Sequence, residues 1–468
     1  KIENRTIVLL IVKDKAMNES DSRHLLVRTG FSPSHVELQP LRDMSREEAV
    51  DRILQGAKQN KMQQPTPAFV SGSTFTPPSQ LQTQEERQEQ RRRQILEGVE
   101  IKQWWLWEML TTANPLAERM TLFWHNHFAT SQQKVVRSMA MWNQHQLLRT
   151  HALGSFATML RGIVVDPAML IYLDNANSRK EAPNENLARE LLELFTLGEA
   201  STSRAYSETD IKEAARALTG YSIEPETGAY VFRPRIHDTA SKTIFGQTGN
   251  FDGEGLVDLI LKQPQAARYI VTKMWLEFVS PEPNPVIVVK AADAMRQSKY
   301  DVRAALEVLL LSDDFWALSN RGSLIKSPID LLVGVARQFQ FAISQPGVLV
   351  NRSAGLGQNL LMPPNVKGWP GGTQWINATT LLERKRTTEQ IFSIGNNMNA
   401  SSLGMSFDRE KFLNQYGATT EREPDADAKQ KLASAMFATA HPSHAVPAGT
   451  VGSAYIRALT LDPVFQLK

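Results

Sequence analysis

The sequence predicts a mainly α fold: a multi-helix globular fold with one small β-hairpin and a long Gln/Pro-rich loop. Three observations predict it. Apolar residues recur at helical spacing over about 114–220 and again at 254–280, 286–318 and 326–343. Strand-like runs are confined to 228–250. Residues 58–83 lose periodicity and fill with Gln, Pro, Ser and Thr.

Taken in order, residues 21–57 read as two short helices. Ser22 to Arg28 leads to a Gly30–Pro33 break, and Ser45 with Glu48 forms a capping box ahead of Ala49, Val50, Ile53 and Leu54. The stretch 58–83 reads as an exposed linker or long loop, which divides the chain into N-terminal helices (1–57), linker (58–83) and a main helical body (84–468). A charged helix, Glu85–Leu96, enters Trp104-Trp105-Leu106-Trp107, whose apolar mass implies burial. Asn114-Pro115 starts a helix that runs through Phe128, followed by others at 133–150 and 151–163. From Asn186 to Leu197, Leu187, Ala188, Leu191, Leu192, Leu194 and Phe195 share one arc. Asn186, Arg189, Glu190 and Glu193 share the other, and Gly198 supplies the stop. Tyr230-Val231-Phe232-Arg233 and Lys242-Thr243-Ile244-Phe245 read as the two strands of the hairpin near 229–246, turning at His237-Asp238-Thr239-Ala240. The run from Pro363 to Gly372 cannot be regular structure, and Trp369 and Trp375 argue that it is ordered.

Composition excludes several classes of function. With 468 residues, 42% hydrophobic and 22% charged, the chain can build two or three cores at roughly 100–200 residues each. Lys and Arg number 52 against 49 Asp and Glu, a surplus of +3. That is too little for a dedicated nucleic-acid binder, which needs concentrated positive charge. The absence of Cys removes disulfide scaffolds, thiolate zinc sites, iron–sulfur clusters and cysteine nucleophiles, and is compatible with an extracytoplasmic setting. The most apolar run, Ile7 to Val12, is far short of the roughly 20 residues a membrane span needs. No serine elbow, Walker loop, dinucleotide fingerprint or H-E-x-x-H is present. The run Gly246–Gly253 lacks the carboxylates of a calcium loop and reads as a turn before a helix starting near Glu254.

Phe123-Trp124-His125-Asn126-His127-Phe128 and Asn184-Glu185-Asn186-Leu187-Ala188-Arg189-Glu190-Leu191-Leu192-Glu193-Leu194 carry a resemblance. So do Arg23-His24-Leu25-Leu26, Asp174-Asn175, Ala217-Leu218-Thr219-Gly220, His237-Asp238, Gly357-Gln358, Pro363 to Gly372 and the Trp375-to-Arg384 segment. Together, over residues 20–468, they resemble a large, mostly bacterial family catalogued as domain of unknown function eighteen-hundred. The resemblance implies a largely helical fold and export, hence a periplasmic or secreted location. It also implies gene neighbours of a sulfatase-like family, domain of unknown function fifteen-hundred-and-one. Two positions depart from it: Phe195 stands where many relatives have a second His, and Tyr221 where they have Trp. The first weakens any metal site that would use position 195.

His125 and His127 are candidate metal ligands. An H-x-H pair shares a metal readily from a strand, but on a helix positions i and i+2 point about 200° apart; the two either share a metal or split, one facing the core and the other a cleft. Glu190 and Glu193 are either a solvated face, with Arg189 making i,i+4 ion pairs worth roughly 0.2–0.5 kcal/mol, or carboxylates turned into a cleft with His127 and His237-Asp238. Asp238 either orients His237 or caps the turn. Lys242 is an anion holder or an edge-strand lysine.

These readings combine into an expected exported, metal-dependent hydrolase acting on an extracellular polymer or its fragments. His125, His127 and His237 would hold a divalent metal, with Glu190, Glu193, His237 and Asp238 catalytic and Lys242, Arg189 and Trp369 binding substrate. Metal would activate water and a carboxylate would move the proton. His127, His237 and one of the two glutamates should then converge within roughly 5 Å of one point. The alternative is a non-catalytic partner or scaffold of a sulfatase-like protein, with the same polar residues as a buried network.

Overall fold

Helix starts follow their local signals closely. In the computed structural model, Ser45 N–H donates to Glu48 Oε2 at 2.8 Å and Glu48 N–H to Ser45 Oγ at 3.2 Å, opening helix Arg46–Lys58. Thr83 and Glu86 form the same box at the start of Gln84–Thr111, which continues without a break through the Trp104–Trp107 cluster. Pro115 sits at the first position of Pro115–His127, where its missing N–H costs nothing. The structure describes residues 16–468 other than 59–60, 73–74, 201–204, 394–403 and 440, so the run Ile7–Val12 lies outside the described residues. No described helix is long and apolar enough to cross a membrane.

The fold is mainly α, as expected, with a few short antiparallel strand pairs. Its apolar faces bury into two clusters. One gathers Trp124, Phe128, Phe156, Leu191, Phe195 and Trp275 from the middle of the chain. The other gathers Trp104, Trp105, Trp142, Leu332, Trp369 and Phe412. Helix Pro115–His127 belongs to both, Trp124 entering the first and Leu122 the second. That helix is the seam of the molecule, and the polar groups along it are held between two cores.

Both expected strands form, but they do not pair with each other. Tyr230–Phe232 pairs with Tyr221–Ile223, and Lys242–Ile244 pairs with Gln247–Gly249. The reason lies in the turns. Phe245 (φ 51°) and Gly246 (φ 73°) make a two-residue turn with positive φ at both positions, the geometry that matches strand twist. Residues 233–241 instead contain the short 3₁₀ turn Pro234–Ile236 and bury His237. Further on, Asp252 Oδ1 accepts from Gly255 N–H at 2.9 Å and caps helix Gly253–Lys262.

The Gln/Pro-rich stretch is fastened to the body. Gln63 and Gln64 N–H donate to Glu108 Oε1 at 2.8 and 2.6 Å, Phe69 is buried, and Phe75 lies under the Arg137 guanidinium at 4.7 Å. Glu108 also meets Arg149 at 3.0 Å, and Arg149 meets Glu118 at 2.8 Å. Glu108→Gln weakens the charge-assisted part of this junction, and loss of such bonds costs about 1–3 kcal/mol. Limited proteolysis of the variant should therefore cut within 61–72 before the wild type is cut there. Equal cleavage rates would show that Glu108 does not hold the segment.

Candidate functional site

The two histidines of Phe123–Phe128 point apart, as a helix requires, and each enters a different core. His125 packs edge-on to Trp105 at 5.4 Å and against Trp369 at 5.6 Å. Its Nε2 is buried with no hydrogen-bond partner. Burial, then the nearby Lys102 charge, pushes its pKa down to about 4. His127 turns to the other side. Its Nε2 lies 2.9 Å from the Phe195 carbonyl oxygen. A carbonyl only accepts, so Nε2 carries the proton and Nδ1 is left as an acceptor. Lys273 Nζ fills that place at 2.8 Å. Burial first and the Lys273 charge second hold the His127 imidazole neutral, well below the usual histidine range.

Lys273 comes from helix Pro264–Phe278, whose apolar residues Ile270, Val271, Met274 and Trp275 anchor it in the first core. Burial lowers the Lys273 amine to about 8, and no described carboxylate pairs with it. The amine opens on a cleft of about 660 Å³ lined by His127, Tyr269, Arg268, Glu199 and Lys367, among others. Tyr269 donates its hydroxyl proton to the Leu194 carbonyl at 3.1 Å, and burial raises it to about 12. Lys367 pairs with Glu199 at 3.2 Å. Arg268 is exposed at the lining.

Glu190 and Glu193, both half-buried, lie within electrostatic reach of this lining, on helix Glu185–Glu193. Burial raises the Glu190 carboxyl and the neighbouring Glu193 charge raises it further, while Lys367 and Arg189 pull it down. Glu193 and Glu199 in turn act on Tyr269. The cleft thus holds an amine shifted down, and Glu190 beside it holds a carboxyl shifted up, each toward neutrality.

A close backbone approach sets the Pro363–Gly372 loop against the histidine helix. Trp369 N–H donates to Asn126 Oδ1 at 2.6 Å. At Gly368 (φ 83°) a Cβ would lie 2.2 Å from Asn126 Oδ1 and 2.4 Å from Asn126 O, so only glycine fits. The loop carries Lys367 to one cleft and Gly371 and Gly372 to a second, of about 110 Å³. In the second, Arg119 meets Asp330 at 2.6 Å and Glu277 at 2.9 Å, while Lys468 meets Asp330 at 2.7 Å. Both clefts have the same three walls: Pro115–His127, Pro264–Phe278 and the loop.

A model of the family described as protein of unknown function (DUF1800) matches residues 24–467. The chain belongs to the DUF1800 family. No curated protein and no solved structure matches it. In this DUF1800 chain some of the residues behind the resemblance meet at these clefts: Asn126, Gln358, Gly371, Gly372 and Trp375 line the second, and His127 and Lys367 the first.

Several sequence expectations are corrected by the contacts of this DUF1800 protein. His125, His127 and His237 have separate surroundings, and no group of three His, Asp or Glu side chains suited to a metal occurs among the described residues. His237 Nδ1 is held by the Thr219 carbonyl at 2.7 Å, with Phe232 edge-on to the ring. Asp238 is clamped by Arg216 at 2.7 Å, and the Arg216 hydrogen bond, outweighing a smaller effect of burial, holds its carboxyl below the usual range. Lys242 donates to Asp238 O (2.6 Å), Ala240 O (3.0 Å) and Asn250 Oδ1 (3.4 Å), so its three protons are used inside the fold. Arg189 is shared between Glu185 at 3.0 Å and Glu208 at 2.8 Å. Trp369 is buried against His125 rather than turned to a substrate. Phe195, whose ring centroid is 6.0 Å from that of His127, offers no ligand atom in its side chain.

Lys273, Arg268, Arg119, Asp330 and Lys468 went unread in the sequence. A lysine beside Met274, at the edge of the apolar arc of its helix, was the available signal for the first.

Proposed function

We propose that the chain is an exported enzyme, a hydrolase acting on an extracellular polymer or its fragments, with the cleft between His127, Lys273 and helix Glu185–Glu193 as its reaction centre. One observation carries the reading: beside the cleft, on helix Glu185–Glu193, a carboxyl raised by burial, Glu190, neighbours the carboxylate of Glu193, while the cationic Arg268 and Lys367 line the cleft itself. Burial moves the half-buried Glu190 carboxyl upward, the direction a general acid requires. In this reading Glu193 activates water, and Lys367 and Arg268 hold an anionic part of the substrate. The cysteine-free composition and the family resemblance support an extracytoplasmic setting.

The metal-dependent form of this reaction is the less supported one, because both ring nitrogens of His127 are engaged by Phe195 and Lys273. Chelator treatment followed by elemental analysis and assay separates the two forms. The test of the function itself is a screen of the purified chain on extracellular polysaccharides, peptidoglycan fragments and their sulfated or carboxylated forms, read as release of new chain ends. Wild type should turn over at least one class that Glu190→Gln does not. Absence of any such difference would leave the scaffold reading, with a sulfatase-like partner, in its place.

A further inference from the structure

The hydrolytic reading leaves Lys273 without a part. Among the described residues, the buried lysines give their protons to oxygens: Lys468 to Asp330 at 2.7 Å, Lys326 to the Phe465 carbonyl at 2.7 Å, Lys102 to Asn359 Oδ1 at 2.7 Å and Lys242 to the Asp238 carbonyl at 2.6 Å. The described hydrogen-bond partner of Lys273 is an imidazole nitrogen instead. An ammonium buried without a counter-ion is unfavourable, so this surrounding favours the free amine, whose lone pair is a nucleophile. His127 decides where that lone pair points. With Nε2–H committed to Phe195 O, Nδ1 can only accept, and it takes one amine proton, leaving the lone pair for the cleft. Arg268, five residues earlier on the same helix, lines the same cleft with no described ion pair. A guanidinium there suits a planar carboxylate.

We propose that Lys273 captures a small carbonyl compound that carries a carboxylate, forming an imine while Arg268 holds the carboxylate. The amine nitrogen attacks the carbonyl carbon and the N–C bond forms. The carbinolamine then loses water: the carbonyl oxygen leaves with both amine protons, a C=N bond remains, and no electrons are gained or lost. His127 is a positioning residue in this step, since its imidazole stays neutral. The inference shares the cleft with the proposed hydrolysis but not its Glu190 chemistry, and the two fail separately: turnover reads Glu190, trapping reads Lys273.

The test is reductive trapping on the full chain. Glyoxylate and sodium cyanoborohydride are added at neutral pH, and carboxymethylated lysines are mapped after digestion. An amine at about 8 carries roughly 10²-fold more free base at pH 7 than an ordinary lysine. Allowing for its restricted access, Lys273 should label about tenfold faster than the surface lysines of the same digest. That enrichment should be larger with glyoxylate than with acetaldehyde, and the difference should shrink in Arg268→Ala. Labelling spread evenly over surface lysines, or an unlabelled Lys273, overturns the proposal. Equal enrichment with both probes overturns the role of Arg268. Lys273→Arg should lose the label with its helical signal intact; if that variant does not fold, the wild-type map alone decides.

Discussion

Arg119→Ala is expected to destabilise the protein by about 3–5 kcal/mol, the usual cost of removing one partner from a buried charge cluster. Arg119 is 2% exposed and its donors are distributed over three acceptors: Gly30 O at 3.0 Å, Glu277 at 2.9 Å and Asp330 at 2.6 Å. Its truncation leaves two carboxylates to share Lys468, one of them only 3% exposed. It also loosens three distant parts of the chain at once, because Asp330 caps helix Pro328–Gln338 and Gly30 ends the first described helix. Arg119→Lys should recover less than half of the loss, since a single ammonium cannot reach all three acceptors.

The pH dependence follows from Asp330. Burial alone would raise its carboxyl, but Arg119 and then Lys468 outweigh burial and hold it far below the usual aspartate range. A carboxyl depressed in the folded state contributes stability that is present above its unfolded value, about 3.9, and is lost as pH falls toward the folded value. The gap between wild type and Arg119→Ala in chemical denaturation should therefore be steady near neutrality and narrow below about pH 4. A gap under about 1 kcal/mol at pH 7 would show that the cluster is not integral to the fold.

Glu190→Gln should lower turnover by about 10²–10⁴-fold, the typical contribution of one acid–base group, while the fold persists. The stability side of this prediction has a definite sign. Burial and Glu193 raise the Glu190 carboxyl, so the folded chain resists its negative charge. Stability is then lost as pH rises through the unfolded value toward the raised one, and at neutral pH Gln relieves that cost. The variant should melt at or slightly above the wild-type temperature while its rate collapses. An ion-paired surface carboxylate would behave the other way, losing up to about 1 kcal/mol with no change in turnover. Melting and rate measured on the same preparation distinguish the two, and a rate within a factor of about three of wild type would remove Glu190 from the chemistry.

Much of the fold was legible because its signals are local. The Ser45–Glu48 box, Pro115 after Asn114 and the Leu187–Leu191 arc each involve residues within a turn or two, and the backbone answers them directly. The opposed directions of His125 and His127 were readable for the same reason, since 100° per residue is a property of the helix and needs no neighbour.

By itself, then, the sequence determined where helices start, which faces they bury, that a helical His125 and His127 point about 200° apart, and that no cysteine chemistry is available. Tertiary structure alone decided the rest. It paired each strand near 230 and 242 with a neighbour other than the expected one, and it enclosed Lys242 among backbone oxygens. It also brought Lys273 to His127 across 146 residues and Asp330 to Arg119 across 211. The physical reason is that no short-range spacing records such meetings. Burying the apolar faces of whole helices sets which polar side chains are carried along between the two cores, and only there are their charges and lone pairs forced to find one another.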